Sequence, residues 1–418
     1  MDYRTSNSLE QFKTYIGLPF QLYNSLFTSL PFHKIEKTGI LLSLFLENCI
    51  EGYDRGESPT EIVEHFFLKH TTYIEPAEKI DLLFRFVQYV ERQIVLFDAL
   101  EDAAFTQVND VNGSGTLKYL GSEVFQRNVY HQMEEKLQEF AVRIVLTAHP
   151  TQFYPGPVLG IIHDLSAALK HNEANKVNMY LQQLGKTAFL NKSKPTPFDE
   201  ALSLIWFLEH VFYSSTAKLT GFLRNEFPTI YANKNTAISL GFWPGGDRDG
   251  NPNVNTTITL QVAAALRASI IKCYYRDIQK MKRRLTFKGI EELLTELEMV
   301  LHQNISQQGS IVITEENILT SLQKVRDIVN NEHGGLFIFL VDDLICKVQV
   351  FGLYFASLDI RQESSIHSKV LEEIAVRERI LEDYVALTAA KKIHKLSRLS
   401  IAADISLYSG IVQDTLLS

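Results

Sequence analysis

The sequence predicts a mainly α-helical protein, in which a large helical body carries the first few strands of an incomplete α/β, TIM-like barrel. Most of the chain places apolar residues at the three- and four-residue spacing of amphipathic helices. Three short apolar stretches, near 141–148, 237–243 and 357–361, each end in polar or charged residues. Barrel strands typically deliver reactive groups at their carboxyl ends in this way.

The length of the chain predicts more than one core. At 418 residues it exceeds the limit of about 250–300 residues for a single hydrophobic core. We therefore expect either two lobes or one large helical body. The predicted division is a helical N-terminal region over 1–140, followed by a second helical region over 141–418 that contains the strands.

Composition limits the possible partners. The net charge of −8 argues against a nucleic-acid-binding protein, which needs a basic face. No signal peptide is visible, and no apolar run approaches the roughly 18 residues of a membrane span. We expect a soluble, cytoplasmic protein that contacts neither nucleic acid nor membrane.

The cysteines predict no cross-link or metal site. The three, Cys49, Cys273 and Cys346, are far apart and include no Cys-x-x-Cys pair. Such spacing indicates neither a disulfide framework nor a zinc site. We expect them to be buried small apolar residues.

The N-terminal region reads as a series of helices. The apolar stripe within residues 81–100 has helical spacing, with charged residues between its members. Ser58 before Pro59 is typical of a helix start. Further on, Asp199 is a predicted N-cap after the Lys-Pro-Thr-Pro segment 194–197. Nothing in 1–140 indicates catalysis.

The first predicted strand runs into residues 145–152, Val-Leu-Thr-Ala-His-Pro-Thr-Gln. It would place His149 at the carboxyl end of a buried strand, where a side chain that titrates near neutral pH can carry protons. A lone histidine is also compatible with a core residue that is hydrogen-bonded to a neighbour. Both interpretations remain open from this stretch.

The second predicted strand leads into a glycine-rich loop, Trp-Pro-Gly-Gly-Asp-Arg-Asp-Gly-Asn-Pro at 243–252. Gly245 and Gly246 permit close backbone approach. We expect Arg248 to face an anion or a carboxylate, oriented by Asp247 and Asp249. A tight turn with internal ion pairs is the alternative. A calcium loop is excluded, because the required glycine and bidentate glutamate are missing.

The third predicted strand ends at Arg361 in the segment Leu-Asp-Ile-Arg-Gln-Glu-Ser, 358–364. A guanidinium there offers a permanent charge and a planar fork to phosphate or carboxylate. The alternative is an ion pair with Asp359 or Glu363. One histidine and two arginines would suit chemistry on a phosphorylated or carboxylated anion.

Together these three motifs resemble the first half of phosphoenolpyruvate carboxylases, in the same order. The resemblance implies conversion of phosphoenolpyruvate and bicarbonate to oxaloacetate and phosphate, with Mg²⁺ or Mn²⁺. It implies that His149 is the catalytic histidine and that Arg361 holds the substrate phosphate. Arg248, Trp243 and Asp247 match the loop that shapes the substrate site. A homotetramer of full-length chains is also implied.

The chain departs from the family in length. Members are about twice as long, and their metal-binding carboxylates lie in a second half that is not found here. We therefore expect an N-terminal portion, inactive alone, with no metal site of its own. A non-catalytic helical binding or assembly module with the same fold is the alternative, and another phosphate-handling enzyme is a third possibility.

Overall fold

A computed structural model of the protein describes residues 3–29, 38–113, 115–147, 154, 156–189, 195–228, 237–249, 251, 253–305, 313–379, 384–398 and 404–417. The chain divides into two compact units. Unit 1 comprises 1–119 and 150–194, and unit 2 comprises 120–149 and 195–418. Both are discontinuous in sequence, so this division differs from the predicted boundary at residue 140.

The described part of unit 1 is helical. Its helices are α1 (Tyr3–Phe12), α2 (Leu18–Ser29), α3 (Thr38–Asp54), α4 (Pro59–His70), α5 (Pro76–Val108), the start of α6 (Leu117–Gln126), α8 (Gly156–Lys170) and α9 (Ala174–Lys186), with a π-helical turn at Lys13–Gly17. The long helix α5 buries one apolar face, including Phe86, Leu96 and Leu100, in the core of this unit. Burial of such a stripe is the main source of helix stability in proteins.

Unit 2 contains the remaining helices and the strands. Its helices are the rest of α6, α7 (Tyr130–Glu139), α10 (Pro197–Phe207), α11 (Tyr213–Glu226), α12 (Thr256–Lys282), α13 (Glu291–Ile305), α14 (Glu315–Glu332), α15 (Ile338–Phe351), α16 (Ser364–Arg377), α17 (Ala389–Leu396) and α18 (Gly410–Leu417). A π-helical turn at Leu208–Phe212 and 3₁₀ turns at Tyr384–Ala386 and Ile405–Leu407 complete the described elements.

Three short strands form a parallel sheet in unit 2. They are β1 (Val142–Leu146), β2 (Ile238–Phe242) and β3 (Ser357–Leu358), in the order β1-β2-β3. Val142 pairs with Ile238, and Gly241 pairs with Ser357. All three lie within the stretches predicted to be strands. The protein is thus mainly helical with a small parallel sheet.

The two faces of the sheet differ in character. Leu146, Leu240 and Phe242 are buried in the helix-packed core of unit 2. Because successive side chains of a strand point to opposite faces, Arg143 and Gly241 lie on the other face. No helix among the described residues has the length and apolar character needed to cross a membrane.

Candidate functional site

The candidate site lies where the three strands end. Parallel strands bring their carboxyl ends to one edge of a sheet. Trp243 follows β2, and its backbone N–H donates to the carbonyl of Leu146, the last residue of β1, at 3.0 Å. Asp359 follows β3, and its N–H donates to the carbonyl of Phe242 at 2.9 Å. The segments leaving the three strands therefore begin side by side.

The glycine-rich loop is fastened to the end of β3 by backbone hydrogen bonds. The Arg361 N–H donates to the Gly246 carbonyl at 2.9 Å, and the Arg248 N–H donates to the Arg361 carbonyl at 2.9 Å. Asp247 and Arg361 consequently form an isolated parallel bridge. This bridge extends the β2–β3 pairing beyond the strands and brings two of the sequence motifs together.

The side chain of Arg361 is exposed and faces an aromatic ring. Its guanidinium carbon lies 4.3 Å from the centre of the Trp243 ring, within the range of a cation–π contact. One nitrogen, Nη1, lies 3.3 Å from Oδ2 of Asp247, in a pair whose side chains are 42% and 36% exposed. The alternative ion pairs predicted for Arg361, with Asp359 or Glu363, are not those the structure places there.

Arg248 is in a different environment from Arg361. Its side chain is 4% exposed, and Nη1 lies 3.1 Å from Oδ2 of Asp414 in α18. Nη2 donates to Oγ1 of Thr256 at 3.0 Å. The carboxylate predicted opposite Arg248 is, in the structure, that of Asp414.

Asp414 is also held by the start of α12. Its Oδ1 accepts from the N–H of Thr256 at 2.9 Å. Burial alone would raise the pKa of the Asp414 carboxyl, but the hydrogen bonds from Thr256 and the charge of Arg248 outweigh it and hold this pKa below its usual range. Asp414 is therefore a charged partner of Arg248 at neutral pH.

Asp359 is a member of the site that the sequence suggested only as a partner for Arg361. Its Oδ1 accepts from Nη2 of Arg143 at 2.5 Å, and its Oδ2 accepts from Nε1 of Trp243 at 3.1 Å. Arg143 was not predicted at all. Its signal was a charged residue inside an apolar strand, on the face opposite the core. Asp414 had no comparable signal, because it is distant in sequence from every motif.

The structure thus brings together four of the motif residues, Trp243, Asp247, Arg248 and Arg361. The fifth predicted residue, His149, lies outside the described residues. Thr147, the last described residue before it, directly follows β1. Placement of the catalytic histidine therefore stays a prediction.

The carboxylates of the site do not fit a divalent ion. The carboxylates of Asp247, Asp359 and Asp414 accept from arginine, indole or backbone donors rather than converging on one point. Over the described ranges, no three His, Cys, Asp or Glu side chains are grouped as a metal site requires.

Comparison with known proteins identifies the family. A sequence model described as phosphoenolpyruvate carboxylase matches residues 62–308 and 293–408. The chain belongs to the phosphoenolpyruvate carboxylase family. This match includes the glycine-rich loop and Arg361, and it ends before Asp414.

Individual phosphoenolpyruvate carboxylases are similar to the chain over part of their length. One from Prochlorococcus marinus is 24% identical over 409 residues, which cover 77% of this chain and 41% of the relative. One from Parasynechococcus marenigrum is 24% identical over 82% of this chain and 44% of the relative. One from Thermosynechococcus vestitus is 30% identical over 222 residues, or 41% of this chain. The chain spans less than half the length of these curated relatives.

Proposed function

We propose that the chain is the N-terminal portion of a phosphoenolpyruvate carboxylase, a carbon–carbon lyase that fixes carbon dioxide. The full enzyme would carboxylate phosphoenolpyruvate with bicarbonate to give oxaloacetate and phosphate. The observation that supports this best is the exposed guanidinium of Arg361, set over Trp243 at the carboxyl edge of a parallel sheet. A planar, permanently charged fork in this position suits a substrate phosphate.

Substrate would bind to Arg361 by displacing Asp247. The two side chains are more than one-third exposed and their contact is long, at 3.3 Å. Exposed pairs of this kind contribute only about 0–1 kcal/mol. A phosphate dianion, with its greater charge and three terminal oxygens, can therefore replace the Asp247 carboxylate at little cost.

In the proposed reaction, bicarbonate attacks the phosphorus of phosphoenolpyruvate, giving carboxyphosphate and the enolate of pyruvate. His149 takes the proton from carboxyphosphate, which then breaks down to carbon dioxide and phosphate. The enolate captures the carbon dioxide to form oxaloacetate. The role of His149 rests on its motif and on its position three residues after Leu146, which ends β1 beside the glycine-rich loop.

Three further features of the full enzyme belong to the proposal. Mg²⁺ or Mn²⁺, when bound, would stabilise charge on the phosphate and enolate oxygens, with ligands from the part of the enzyme not present here. The strands β1, β2 and β3 would be the first of a TIM-like barrel. Full-length chains would assemble as homotetramers in the cytoplasm.

Calorimetric titration of the 418-residue chain with phosphoenolpyruvate tests the site. We expect binding that Arg361→Ala weakens about tenfold to a hundredfold, because a charge-assisted, two-pronged contact is lost. Arg326→Ala is the matched control, since it removes a similarly exposed arginine whose carboxylate partner, Asp342, is not one of the site residues. Equal affinities for wild type and Arg361→Ala would contradict the proposed site.

A coupled assay tests the claim that the chain is a portion of the enzyme. With phosphoenolpyruvate, bicarbonate, Mg²⁺ and NADH-linked detection of oxaloacetate, we expect no turnover by the chain alone. Robust turnover would mean that the 418 residues contain a complete site, and it would contradict this part of the proposal.

One observation favours a non-catalytic binding or assembly module as the second candidate. Both arginines of the sequence motifs already have carboxylate partners, Asp414 for Arg248 and Asp247 for Arg361. A module of this kind would need no free cation. It would be supported if phosphoenolpyruvate binding did not respond to either Arg361→Ala or His149→Ala.

A further inference from the structure

The carboxylate of Asp359 is shared between residues that belong to the other two strands. Arg143 lies within β1 and Trp243 directly follows β2, and each donates to a different oxygen of Asp359, at 2.5 and 3.1 Å. Asp359 itself directly follows β3. The three residues therefore connect all three strands on the face of the sheet opposite the core.

Gly241 makes this connection possible. It lies in the central strand, between Arg143 and Asp359. A Cβ at this position would lie 3.1 Å from Nε and Nη2 of Arg143, so a side chain there would require the guanidinium to shift. Because Gly241 has no side chain, the side chain of Arg143 can lie over the central strand on this face of the sheet and reach Asp359.

The hydrogen bond to Asp359 fixes one end of the Trp243 indole. Trp243 is only partly buried, so the hydrogen bond from Nε1 to Asp359 adds to packing in fixing the orientation of its ring. With Nε1 held by Asp359, the ring face lies 4.3 Å from the guanidinium carbon of Arg361. Asp359 thus holds the ring that the Arg361 guanidinium faces, while Asp247 contacts the guanidinium directly at 3.3 Å.

We propose that Asp359 is a positioning residue, which orients Arg361 through Trp243 and is itself held in place by Arg143. The claim that Asp359 orients Arg361 depends on the geometry alone. That the oriented guanidinium receives a substrate phosphate rests on the proposed function. The two parts are separated by measuring first the free protein and then its complex.

The free protein is tested by NMR of side-chain N–H groups in the 418-residue chain. The chain has two tryptophans, so Trp206→Phe leaves the indole N–H of Trp243 as the only indole signal. Arg361→Lys identifies the Arg361 Nε–H signal, which the ring current of the indole displaces. In Asp359→Ala, we expect the Trp243 signal to move to the position of a water-bonded indole and the Arg361 signal to return to that of an ordinary arginine.

Three variants make this test decisive. Asp359→Asn keeps an oxygen for the indole but loses the negative charge that holds Arg143. Arg143→Gln keeps the carboxylate of Asp359 but removes the positive charge that holds it. Both variants should therefore displace the two signals less than Asp359→Ala does. They also replace Asp359→Ala should it not fold, as judged by circular dichroism. The matched control is Asp342→Asn, which removes a carboxylate paired with Arg326 elsewhere in unit 2 and should move neither signal.

Wild-type positions of both signals in Asp359→Ala, or equal displacements in Asp342→Asn, would overturn the positioning role.

The complex is then tested with phosphoenolpyruvate in the same samples. We expect Asp359→Ala to weaken binding roughly threefold to tenfold, the range of one cation–π contact and its geometry. Unchanged affinity in a variant whose Arg361 signal has moved would overturn the link to substrate binding. Failure of the wild-type chain to bind through Arg361 would instead overturn the proposed function.

Discussion

At the scale of single residues, Gly246 explains why the loop can lie against the end of β3. A Cβ at this position would come within 2.2 Å of the carbonyl oxygen of Asp359, closer than any side chain tolerates. The carbonyl of Gly246 also accepts from the N–H of Arg361. Gly246 therefore sets the distance between the two motifs.

We predict that Gly246→Ala lowers the free energy of unfolding of unit 2 by about 1–3 kcal/mol, because backbone must move to admit the methyl group. Urea unfolding followed by tryptophan fluorescence measures this, since Trp206 and Trp243 both lie in unit 2. Gly221→Ala is the control. No atom lies within 4 Å of a Cβ there, and alanine in α11 should raise stability slightly. Equal stability of both variants would contradict the close contact.

The partners of the arginines in the site could be predicted from the sequence only in part. The motifs predicted that Trp243, Asp247, Arg248 and Arg361 would meet, because each follows a strand end. They did not predict which carboxylate pairs with which arginine. The partner of Arg248, Asp414, comes from a helix 166 residues further along the chain, and such long-range pairing leaves no local pattern. The alternative to anion binding by Arg361 was an ion pair with Asp359 or Glu363, but Asp359 pairs with Arg143 instead.

At the scale of elements, a buried polar cluster joins helices α11, α12 and α15. The ammonium of Lys347 lies 2.7 Å from Asp277 and 2.7 Å from Asp343, and 4.5 Å from the centre of the Tyr213 ring. The Tyr213 hydroxyl donates to Asp277 at 2.9 Å. Burial alone would raise the pKa of Asp277, but the hydrogen bond and charge of Lys347 outweigh it and lower this pKa below its usual range. The cluster thus holds a charged pair between apolar helices.

We predict that Asp277→Asn destabilises unit 2 by about 2–3 kcal/mol, because a buried ammonium loses one of its two carboxylates. The loss is limited, since Asp343 remains. Asp342→Asn, next to Asp343 on α15, is the control. It should lower the free energy of unfolding by no more than about 1 kcal/mol, because the pair of Asp342 with Arg326 is exposed. Urea unfolding measures both variants. Similar losses of unfolding free energy would show that the buried pair of Asp277 and Lys347 contributes no more than the exposed pair of Asp342 and Arg326.

Helix starts were the most predictable elements. Ser58 was predicted as an N-cap before Pro59, and its side chain does accept from the N–H of Glu61 in a capping box. The same reasoning was wrong by three residues for α10. Thr196 is the N-cap and Asp199 occupies the third helical position of the capping box, because Pro197 is suited to the first turn. Both residue types favour caps, so composition alone does not choose between them.

The buried pair of Lys347 and Asp277 makes the stability of unit 2 depend on pH in a defined way. The folded-state pKa of Asp277 is lowered, so its contribution is complete above the unfolded pKa of about 4 and is lost as the pH falls through the folded value. The pKa of Lys347 is raised, because its bonds to Asp277 and Asp343 outweigh the effect of burial. Its contribution is complete below the unfolded pKa of about 10.4 and is lost as the pH rises through the folded value.

We therefore predict that this pair contributes a constant amount to stability between about pH 5 and 9, with losses on either side. The measurement is urea unfolding of wild type and Asp277→Asn across pH 2.5–11, followed by tryptophan fluorescence. The difference between the two proteins should shrink below about pH 4. A difference that persists in acid would contradict the assigned ionisation of Asp277.

The division into units was the least predictable feature. A single boundary at residue 140 follows naturally from a helical stretch that gives way to the first strand. The structure instead returns 150–194 to unit 1 after β1 has been placed in unit 2. Helical periodicity identifies a buried face, but it does not specify which helix covers that face. Assignment of α8 and α9 to the core of unit 1 therefore needed the three-dimensional contacts.

The same interleaving has a consequence for synthesis of the chain. Strand β1 pairs with β2 about 100 residues later, in the register of Val142 with Ile238. At typical translation speeds β1 must wait on the order of 5–20 s for its partner. During this time an apolar segment with an unpaired edge can associate with other nascent chains. Arg143, the second residue of Val-Arg-Ile-Val-Leu, places a charge where a gatekeeper residue would oppose such aggregation.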